Sequence, residues 1–342
     1  MELHLLCFSQ MRVAVLCLLG AWVAWPQFRS TVPLVVAPTT VKDAKGRFVD
    51  GLDASDLVLY DNNVRQPIQV DYQSFPISLV VAVETCSNSG PILDKLGDSG
   101  ILFSQLVAAD QGEAALITFS KKVTKHVDFT SDPDDLTHAL RKLHKERAPA
   151  VALDALVRAE EMLSHRAPGR RPVILMVAET RDRSSAAKLD EVLLEVQRRN
   201  TAVYWLSYSA FLAPLTNRKI KTYGDVEDPS ERGKDKVHDA TPIPDDTQPW
   251  NFIAGITELA HLKSPNIASM FTRLTGAREI GFMTKHGLEE AIHDIGEEVH
   301  RQYILTFPPP PGLPGQFHKI RVVVKDRPDL TVKTREGYWA VQ

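Results

Sequence analysis

The segment that most constrains the fold is Pro76–Gly90, with the sequence PISLVVAVETCSNSG. Its apolar run, Ile77 to Val83, is short, rich in valine and ended by a polar turn, which is typical of a buried central strand in an α/β sheet. In such sheets ligands bind just beyond the carboxyl ends of the strands. Six polar or thiol-bearing residues follow at that position: Glu84, Thr85, Cys86, Ser87, Asn88 and Ser89. The segment therefore predicts a binding face, and a capped turn without a ligand is the alternative.

Strands and helices alternate along the chain after this strand. Apolar runs predict further strands at 114–120, 123–129, 172–179, 201–209 and 278–284. Segments with helical periodicity predict helices at 91–109, 132–146, 151–165, 185–199, 251–275 and 287–302. Ser131 is predicted to cap the helix that begins at 132. The alternation predicts an α/β, Rossmann-like domain over residues 76–302, with a doubly wound, mostly parallel sheet and helices on both faces.

The two ends of the chain have a different pattern. Residues 30–73 and 303–342 are rich in short strands and turns, and the first segment is too short to bury a core alone. We therefore expect the two segments to pair into a small β-sandwich-like satellite. Residues 211–250 mix charges with Pro and Gly and lack an apolar period, so they are predicted to form a long surface insertion.

Residues 1–26 have the pattern of a signal peptide. Met11 and Arg12 precede the apolar stretch VAVLCLLGAWVAW, which has the length that such peptides need. The alternative is an uncleaved N-terminal anchor, which would be the membrane contact of the chain. We expect an exported protein that is periplasmic, secreted or held at the cell surface. Cys86 is the one cysteine beyond this segment, so no internal disulfide is expected.

The charge of the chain argues against one class of partner. A net charge of -3 over 342 residues gives no basic field for a phosphate backbone, so nucleic acid is not expected. No run of 18 apolar residues follows residue 30, so no later segment is expected to span a membrane. The sequence has no glycine-rich phosphate loop, dinucleotide fingerprint or zinc-knuckle spacing.

The order of these elements resembles the von Willebrand factor A (VWA) domain, and specifically the VWFA-related family of the bacterial, acidobacterial type. The resemblance is carried by the strand that ends in Glu84, the strand ALITFS, the strand end VAETRDRSS and the closing EGYWA. It covers about residues 30–340, because the β head VKDAKGRFVDGLDASDLVLYDN also matches the family pattern. It implies a protein-interaction or adhesion module, not an enzyme, with a protein or a cell surface as its partner.

The resemblance also implies a metal-ion-dependent adhesion site (MIDAS). In this family an Asp-x-Ser-x-Ser sequence, a Thr from a later loop and a second Asp hold a divalent ion. This chain departs from the pattern at each position, in the order Glu84, Cys86, Asn88, Ala150 and Glu179, with Asp182 close behind the last. We therefore expect a degenerate MIDAS, in which Glu84, Asn88 and Glu179 are the candidate ligands of Mg²⁺, Mn²⁺ or Ca²⁺. No other cofactor is expected.

Two further functions stay open at this stage. A hydrolase would use Cys86 as its nucleophile, or Glu84 and Glu179 as a pair of carboxylates. A purely structural component of the cell envelope would need no ligand. Gly97–Gly100 copies the tetrapeptide around a serine-protease nucleophile, but it lies in a helical pattern, so coincidence is the better interpretation.

Other side chains are candidates for structural roles. His293, Glu297 and His300 share one face of a predicted helix and could bind a metal, although alternating acids and histidines are more typical of a solvated face. The aromatic residues are expected to pack in the core or to dock the C-terminal tail: Tyr204, Trp205 and Tyr208 in the core, Tyr338 and Trp339 at the tail.

Overall fold

A computed structural model describes residues 34–71, 75–86, 89–98, 111–208, 266–310 and 315–340. The predicted signal segment 1–26 and the predicted insertion 211–250 lie outside these residues. Ser87 and Asn88 also lie outside them, as do 99–109 and 251–265 of the predicted helices.

The described chain contains strands at both ends and an alternation of strands and helices between them. The strands are β1 (Val35–Lys42), β2 (Leu57–Asp61), β3 (Val64–Gln66), β4 (Gln69–Asp71), β5 (Ile77–Glu84), β6 (Glu113–Phe119), β7 (Val123–Thr130), β8 (Arg171–Ala178), β9 (Ala202–Ser207), β10 (Glu279–Gly281), β11 (Tyr303–Phe307), β12 (Phe317–Val324), β13 (Thr331–Lys333) and β14 (Gly337–Trp339). The helices are α1 (Gly90–Asp98), α2 (Pro133–Leu140), α3 (Ala152–Ser164), α4 (Leu189–Arg198), α5 (Ile267–Thr275) and α6 (Lys285–Arg301).

A six-stranded sheet forms the α/β part, in the order β10-β9-β8-β5-β6-β7. Its neighbouring strands are parallel, except that β7 runs antiparallel to β6 at the edge. β5 lies between β8 and β6, and all of its residues are buried, as its continuous apolar sequence predicts. The carboxyl ends of β5, β8 and β9 therefore lie together at one edge of the sheet. The amino end of β7 lies there too, because β7 runs in the opposite direction.

Helices cover both faces of this sheet. Along β5, Val81 belongs to a core shared with α1, α2 and α6, whereas its neighbour Val80 belongs to a core shared with α3, α4 and α5. Successive side chains of a strand point to opposite faces, so one strand contributes to both cores. The predicted fold class, α/β with a doubly wound and mostly parallel sheet, is confirmed.

Helix α2 is shorter than predicted, and its cap is one residue later. The carboxylate of Asp132 accepts a hydrogen bond from the Asp134 N–H at 2.9 Å, so Asp132 and not Ser131 is the N-cap. Pro133 explains the difference, because proline occupies the first helical position and the cap precedes it. The helix ends at Leu140, and the N–H of Glu146 instead donates to the Thr85 carbonyl at 2.5 Å. Residues 141–151 thus form a loop that reaches the end of β5.

The two ends of the chain pair with each other in two four-stranded sheets, as predicted for the satellite. The sheets have the orders β13-β1-β11-β4 and β14-β12-β2-β3. In the first, β1 runs antiparallel to β11, with Val35 opposite Phe307. In the second, β12 runs antiparallel to β2. Their inward side chains form a common core that includes Leu59, Leu305 and Val322, and this core makes the two sheets a β-sandwich.

The last strand joins the sandwich to the α/β part. Tyr338 of β14 belongs to the sandwich core, whereas Trp339 belongs to the α/β core. The N–H of Trp339 donates to the Gln197 side chain at 3.3 Å, which holds β14 against the end of α4. Both residues therefore dock the tail, as expected. Among the described residues, no helix is long and apolar enough to cross a lipid bilayer.

Candidate functional site

Three loops meet at the carboxyl end of β5. The N–H of Thr85 donates to the Phe119 carbonyl at 2.9 Å, which places the β6–β7 turn beside it. The N–H of Glu146 donates to the Thr85 carbonyl, which places loop 141–151 there as well. The third loop follows β8, and its first N–H, that of Glu179, donates to the Glu84 carboxyl at 2.8 Å. The described residues among those predicted at strand ends are thus brought together at one edge of the sheet.

Glu84 is the last residue of β5, and only 1% of its surface is exposed. Burial raises the pKa of its carboxyl, and the Cys86 thiol and the Glu179 N–H oppose that shift only in part. One carboxyl oxygen, Oε1, has no hydrogen-bond partner within the described part of the chain. Burial thus favours the protonated form of Glu84 more than water would.

Tyr208 is a site residue that sequence reasoning placed in the core alone. It directly follows β9 and is fully buried, and burial raises the pKa of its hydroxyl, with a further contribution from the charge of Glu84. Its hydroxyl thus lies near the Glu84 carboxyl, and each of the two groups shifts the pKa of the other. Its position after a central parallel strand was the signal that could have identified it.

Glu179 lies at the end of β8 and forms an ion pair with Arg183. The Glu179 side chain is 8% exposed and the Arg183 side chain 49% exposed, so the acid is covered while about half of the arginine side chain faces solvent. The hydrogen bond to Glu179 raises the pKa of Arg183, and the charge of Glu84 adds to this. A fixed positive charge therefore stands beside the two carboxyl groups. Sequence reasoning missed Arg183, although it lies one residue beyond Asp182.

Asp182 has a structural role at this edge. Its Oδ1 accepts hydrogen bonds from the N–H groups of Ala152 at 2.8 Å and Leu153 at 3.2 Å, and from the Ser185 hydroxyl at 2.6 Å. These two N–H groups open α3, whose own N-cap, Val151, has no side-chain hydrogen bond to give. Asp182 thus caps α3 from the loop after β8. The carboxylate therefore has a structural role as a helix cap.

The remaining predicted residues are held by the main chain. The Thr85 hydroxyl donates to the Phe119 carbonyl at 3.4 Å, and the Ser89 hydroxyl donates to the Cys86 carbonyl at 2.7 Å. Ala150 is buried, and its carbonyl accepts from the Arg183 N–H at 3.3 Å. Cys86 is 5% exposed, so its thiol is not presented to solvent as a nucleophile would be.

Among the described residues, the side chains at this edge do not form the oxygen cage that Mg²⁺ requires. The Glu84 carboxyl accepts the Glu179 N–H, Glu179 is paired with Arg183, and Asp182 caps helix α3. A hard divalent ion needs several ionised or carbonyl oxygens turned towards one point, and within the described residues no group of three His, Cys, Asp or Glu side chains has that arrangement. The same finding covers His293, Glu297 and His300 on α6. Asn88, the third predicted ligand, lies outside the described residues.

Comparison with known proteins finds similar structures but no sequence relative. No family model matches the chain, and no curated protein matches it. The VWA domain of SpRpn10 is 14% identical, with a TM-score of 0.33, over 39% of this chain and 75% of that chain. The von Willebrand factor domain of a type V pilus tip protein from Porphyromonas gingivalis is 18% identical, with a TM-score of 0.29, over 32% of this chain and 40% of that one.

A longer match is an aerotolerance-related membrane protein from Bacteroides fragilis, which is 11% identical, with a TM-score of 0.38. This match covers 65% of the present chain and 99% of that chain. VWA domains are thus among the solved structures to which this chain is similar.

Proposed function

We propose that this chain is an exported protein-interaction module of the VWA type, which binds its partner at the carboxyl edge of its central sheet without a metal ion. The observation that carries the proposal is the pairing of Glu179 with Arg183. The cation of Arg183 stands beside Glu84 and Glu179, the two acidic side chains that were expected to hold a metal. About half of the Arg183 side chain is exposed to solvent. The degenerate MIDAS is thus a site for direct polar contacts.

Two observations favour binding over catalysis at this edge. The only described cysteine, Cys86, is buried, and the Glu84 carboxyl is held by a main-chain N–H of its own chain. A pair of catalytic carboxylates needs one ionised group that is free to reach a substrate or water, whereas Glu179 is covered and bound to Arg183. A hydrolase is therefore the weaker candidate. A structural envelope component would differ from the proposed interaction module only in having no partner at this edge.

The metal-free part of the proposal is tested by calorimetric titration of Mg²⁺, Mn²⁺ and Ca²⁺ into the full chain. We expect no saturable binding of any of the three ions at millimolar concentration. A Glu84→Ala/Glu179→Ala variant is the matched control. Saturable binding that disappears in this variant would mean that the adhesion site survives in altered form, and the metal-free proposal would then be wrong.

The interaction itself is tested with a photoreactive amino acid in the full chain, expressed in its own cells. One variant carries it at Ser184, which is exposed in the loop after β8, and the control carries it at Val64, which is exposed on the β-sandwich. We expect a discrete crosslinked product from position 184 that persists with a metal chelator and is absent from position 64. Equal crosslinking at both positions, or none at 184, would contradict the proposed site.

Export is tested in the same cells. We expect a C-terminally tagged chain to be found with envelope or secreted proteins and to be lost from those fractions when residues 1–26 are deleted. Retention of the intact chain inside the cell would contradict this part of the proposal.

A further inference from the structure

The loops at the carboxyl edge have a charge opposite to that of the whole chain. The three loops are residues 120–122, 141–151 and 179–188, and together they contain nine Lys and Arg residues and three Asp and Glu residues. The chain as a whole has a net charge of -3. Positive charge is therefore concentrated in these loops, which we call the basic loops, and a count over the complete sequence does not reveal it.

Hydrogen bonds hold the basic loops next to one another. The Ser120 hydroxyl donates to the Glu146 carboxylate and so joins the first loop to the second. The Arg183 N–H donates to the Ala150 carbonyl at 3.3 Å and joins the third loop to the second. With the bond from the Glu146 N–H to the Thr85 carbonyl, these contacts bring the three loops together at the end of β5.

Most of these cations have no counter-charge in the structure. Six exposed residues of the first two loops form no ion pair with another described residue: Lys121, Lys122, Arg141, Lys142, Lys145 and Arg147. Of the three acids in these loops, Glu146 accepts from Ser120, Glu179 pairs with Arg183 and Asp182 caps α3, so none forms an ion pair with the six cations. The unbalanced charge is therefore available to a partner.

We propose that the basic loops bind an acidic, extended segment of a partner protein. The proposal rests on the proposed function in that it takes the same edge as the binding face, and it adds the chemistry of the partner. Four of the nine cations are arginines, whose planar guanidinium groups bind carboxylates through two parallel hydrogen bonds. Arg183, half exposed at the centre, would bind one carboxylate of the partner, and the surrounding cations would bind others.

The composition of the basic loops favours an acidic protein segment over two other polyanions, which are single-stranded nucleic acid and an anionic lipid surface. They contain no Phe, Tyr or Trp, so the stacking platforms that hold single-stranded nucleic acid are missing from them. The large exposed hydrophobic side chains of the described chain, which include Val64 and Met283, all lie on other segments. The loops therefore have no apolar group of the kind that inserts into a lipid surface.

The test measures the binding of a fluorescent peptide of alternating Glu and Gly to the full chain by anisotropy. The probes for comparison are the same peptide with Gln in place of Glu, a thymidine oligonucleotide of equal charge, and vesicles rich in phosphatidylglycerol. The test variant is Lys145→Glu/Arg147→Glu, and the matched control is Arg65→Glu/Lys325→Glu, which reverses two exposed charges on the β-sandwich.

We expect the Glu peptide to bind, the Gln peptide not to bind, and the affinity to fall as salt is raised. Charge reversal at 145 and 147 should weaken binding by about tenfold or more, whereas the control reversal should leave it almost unchanged. Circular dichroism and melting temperature establish that both variants are folded.

Three results would overturn the inference. Tighter binding of the oligonucleotide or of the vesicles would assign the basic loops to a different polyanion. An equal loss of peptide affinity in the two charge-reversed variants would show that binding depends on net charge alone. Absence of peptide binding, with the crosslink at position 184 intact, would remove the acidic partner and leave the proposed interaction site standing.

Discussion

Single residues with unusual titration lie in both the core and the site. Glu160 of α3 is almost fully buried, and neither of its carboxyl oxygens has a hydrogen-bond partner in the described part of the chain. The nearest cation is Arg199, with its Nε 3.8 Å from Oε2. Burial raises the pKa of this carboxyl to about 8, and the hydroxyl of Thr201 and the charge of Arg199 lower it only in part. Glu160 thus destabilises the fold whenever it is ionised.

We predict that Glu160→Gln stabilises the protein at alkaline pH. Below a pH of about 4.5 the folded and unfolded chains both hold the proton, and above that value only the unfolded chain releases it, until the folded pKa of about 8 is reached. The wild-type stability therefore falls across this window relative to the variant, by an amount on the order of a few kcal/mol. The measurement is urea unfolding of both proteins from pH 5 to pH 8.5.

The matched control for this prediction is Glu161→Gln. Glu161 is the next residue of the same helix, but it is exposed and its pKa is lowered by its bond to Arg158. The control should not gain stability as the pH rises. A parallel gain in both variants would show that the effect comes from net charge and not from burial.

Glu84 gives the second prediction at this scale. Because burial raises its pKa, Glu84→Gln should resemble the protonated native side chain and should keep the hydrogen bond from the Glu179 N–H. We expect the variant to bind the Glu peptide as the wild type does, and to be relatively more stable at pH 8 than at pH 5. Loss of peptide binding, with the fold intact, would mean that an ionised Glu84 takes part in recognition.

At the scale of elements, α3 depends on a loop that is distant in sequence. Asp182 and Ser185 accept from the N–H groups that open α3, and Asp154 of α3 in turn accepts from the N–H of Ala187 at 2.8 Å. The loop after β8 and the start of α3 are therefore fixed as one unit. This unit positions Arg183 above the end of β5.

We predict that Asp182→Ala lowers the free energy of unfolding by about 1–2 kcal/mol, the cost of losing a helix cap. Asp190→Ala is the control, because Asp190 lies in the first turn of α4 and caps no helix in the described structure. Thermal melts of the two variants give the comparison. If Asp182→Ala melted like the wild type, or if it lost stability only when Mg²⁺ was removed, the capping role would be wrong.

The elements of the fold were predictable from sequence, and the roles within the site were less so. Most residues of β5 and β8 form short, valine-rich apolar runs, and such runs predict buried strands. In contrast, the partners of Asp182 stand thirty residues earlier in the chain, and its carboxylate looks the same in the sequence whether it faces a metal or a helix end. The ion pair of Glu179 with Arg183 likewise depends on the conformation of the loop after β8, which hydrophobic periodicity does not predict.

At the scale of the whole molecule, β14 connects two cores. Adjacent side chains of a strand point to opposite sides, which is why Tyr338 packs in the sandwich and Trp339 in the α/β part. Arg335, just before this strand, is buried and donates to the Val36 carbonyl at 2.9 Å and to the Asn200 side chain at 3.2 Å. The last strand is therefore as much a part of the α/β core as of the sandwich.

We predict that Trp339→Ala destabilises the whole described fold by about 3–5 kcal/mol, the usual cost of deleting a large buried aromatic side chain. Because both cores meet at β14, calorimetry should show the loss in a single transition. Trp339→Phe, which keeps an aromatic ring, should lose less. A variant in which one transition moves and a second stays in place would show that the two parts unfold independently.

Because the two ends of the chain pair with each other, the first strands must wait for partners that are synthesised last. The partners of β1 are β11 and β13, which the ribosome makes only after the whole α/β part has been translated. Until then β1 and β2 have no partner in their sheets except the short strand β3. The nascent chain thus carries unpaired strand edges for most of its synthesis, and such edges join readily to other chains. A factor that shields the first strands until the last ones emerge would decide how much of the protein reaches its native form.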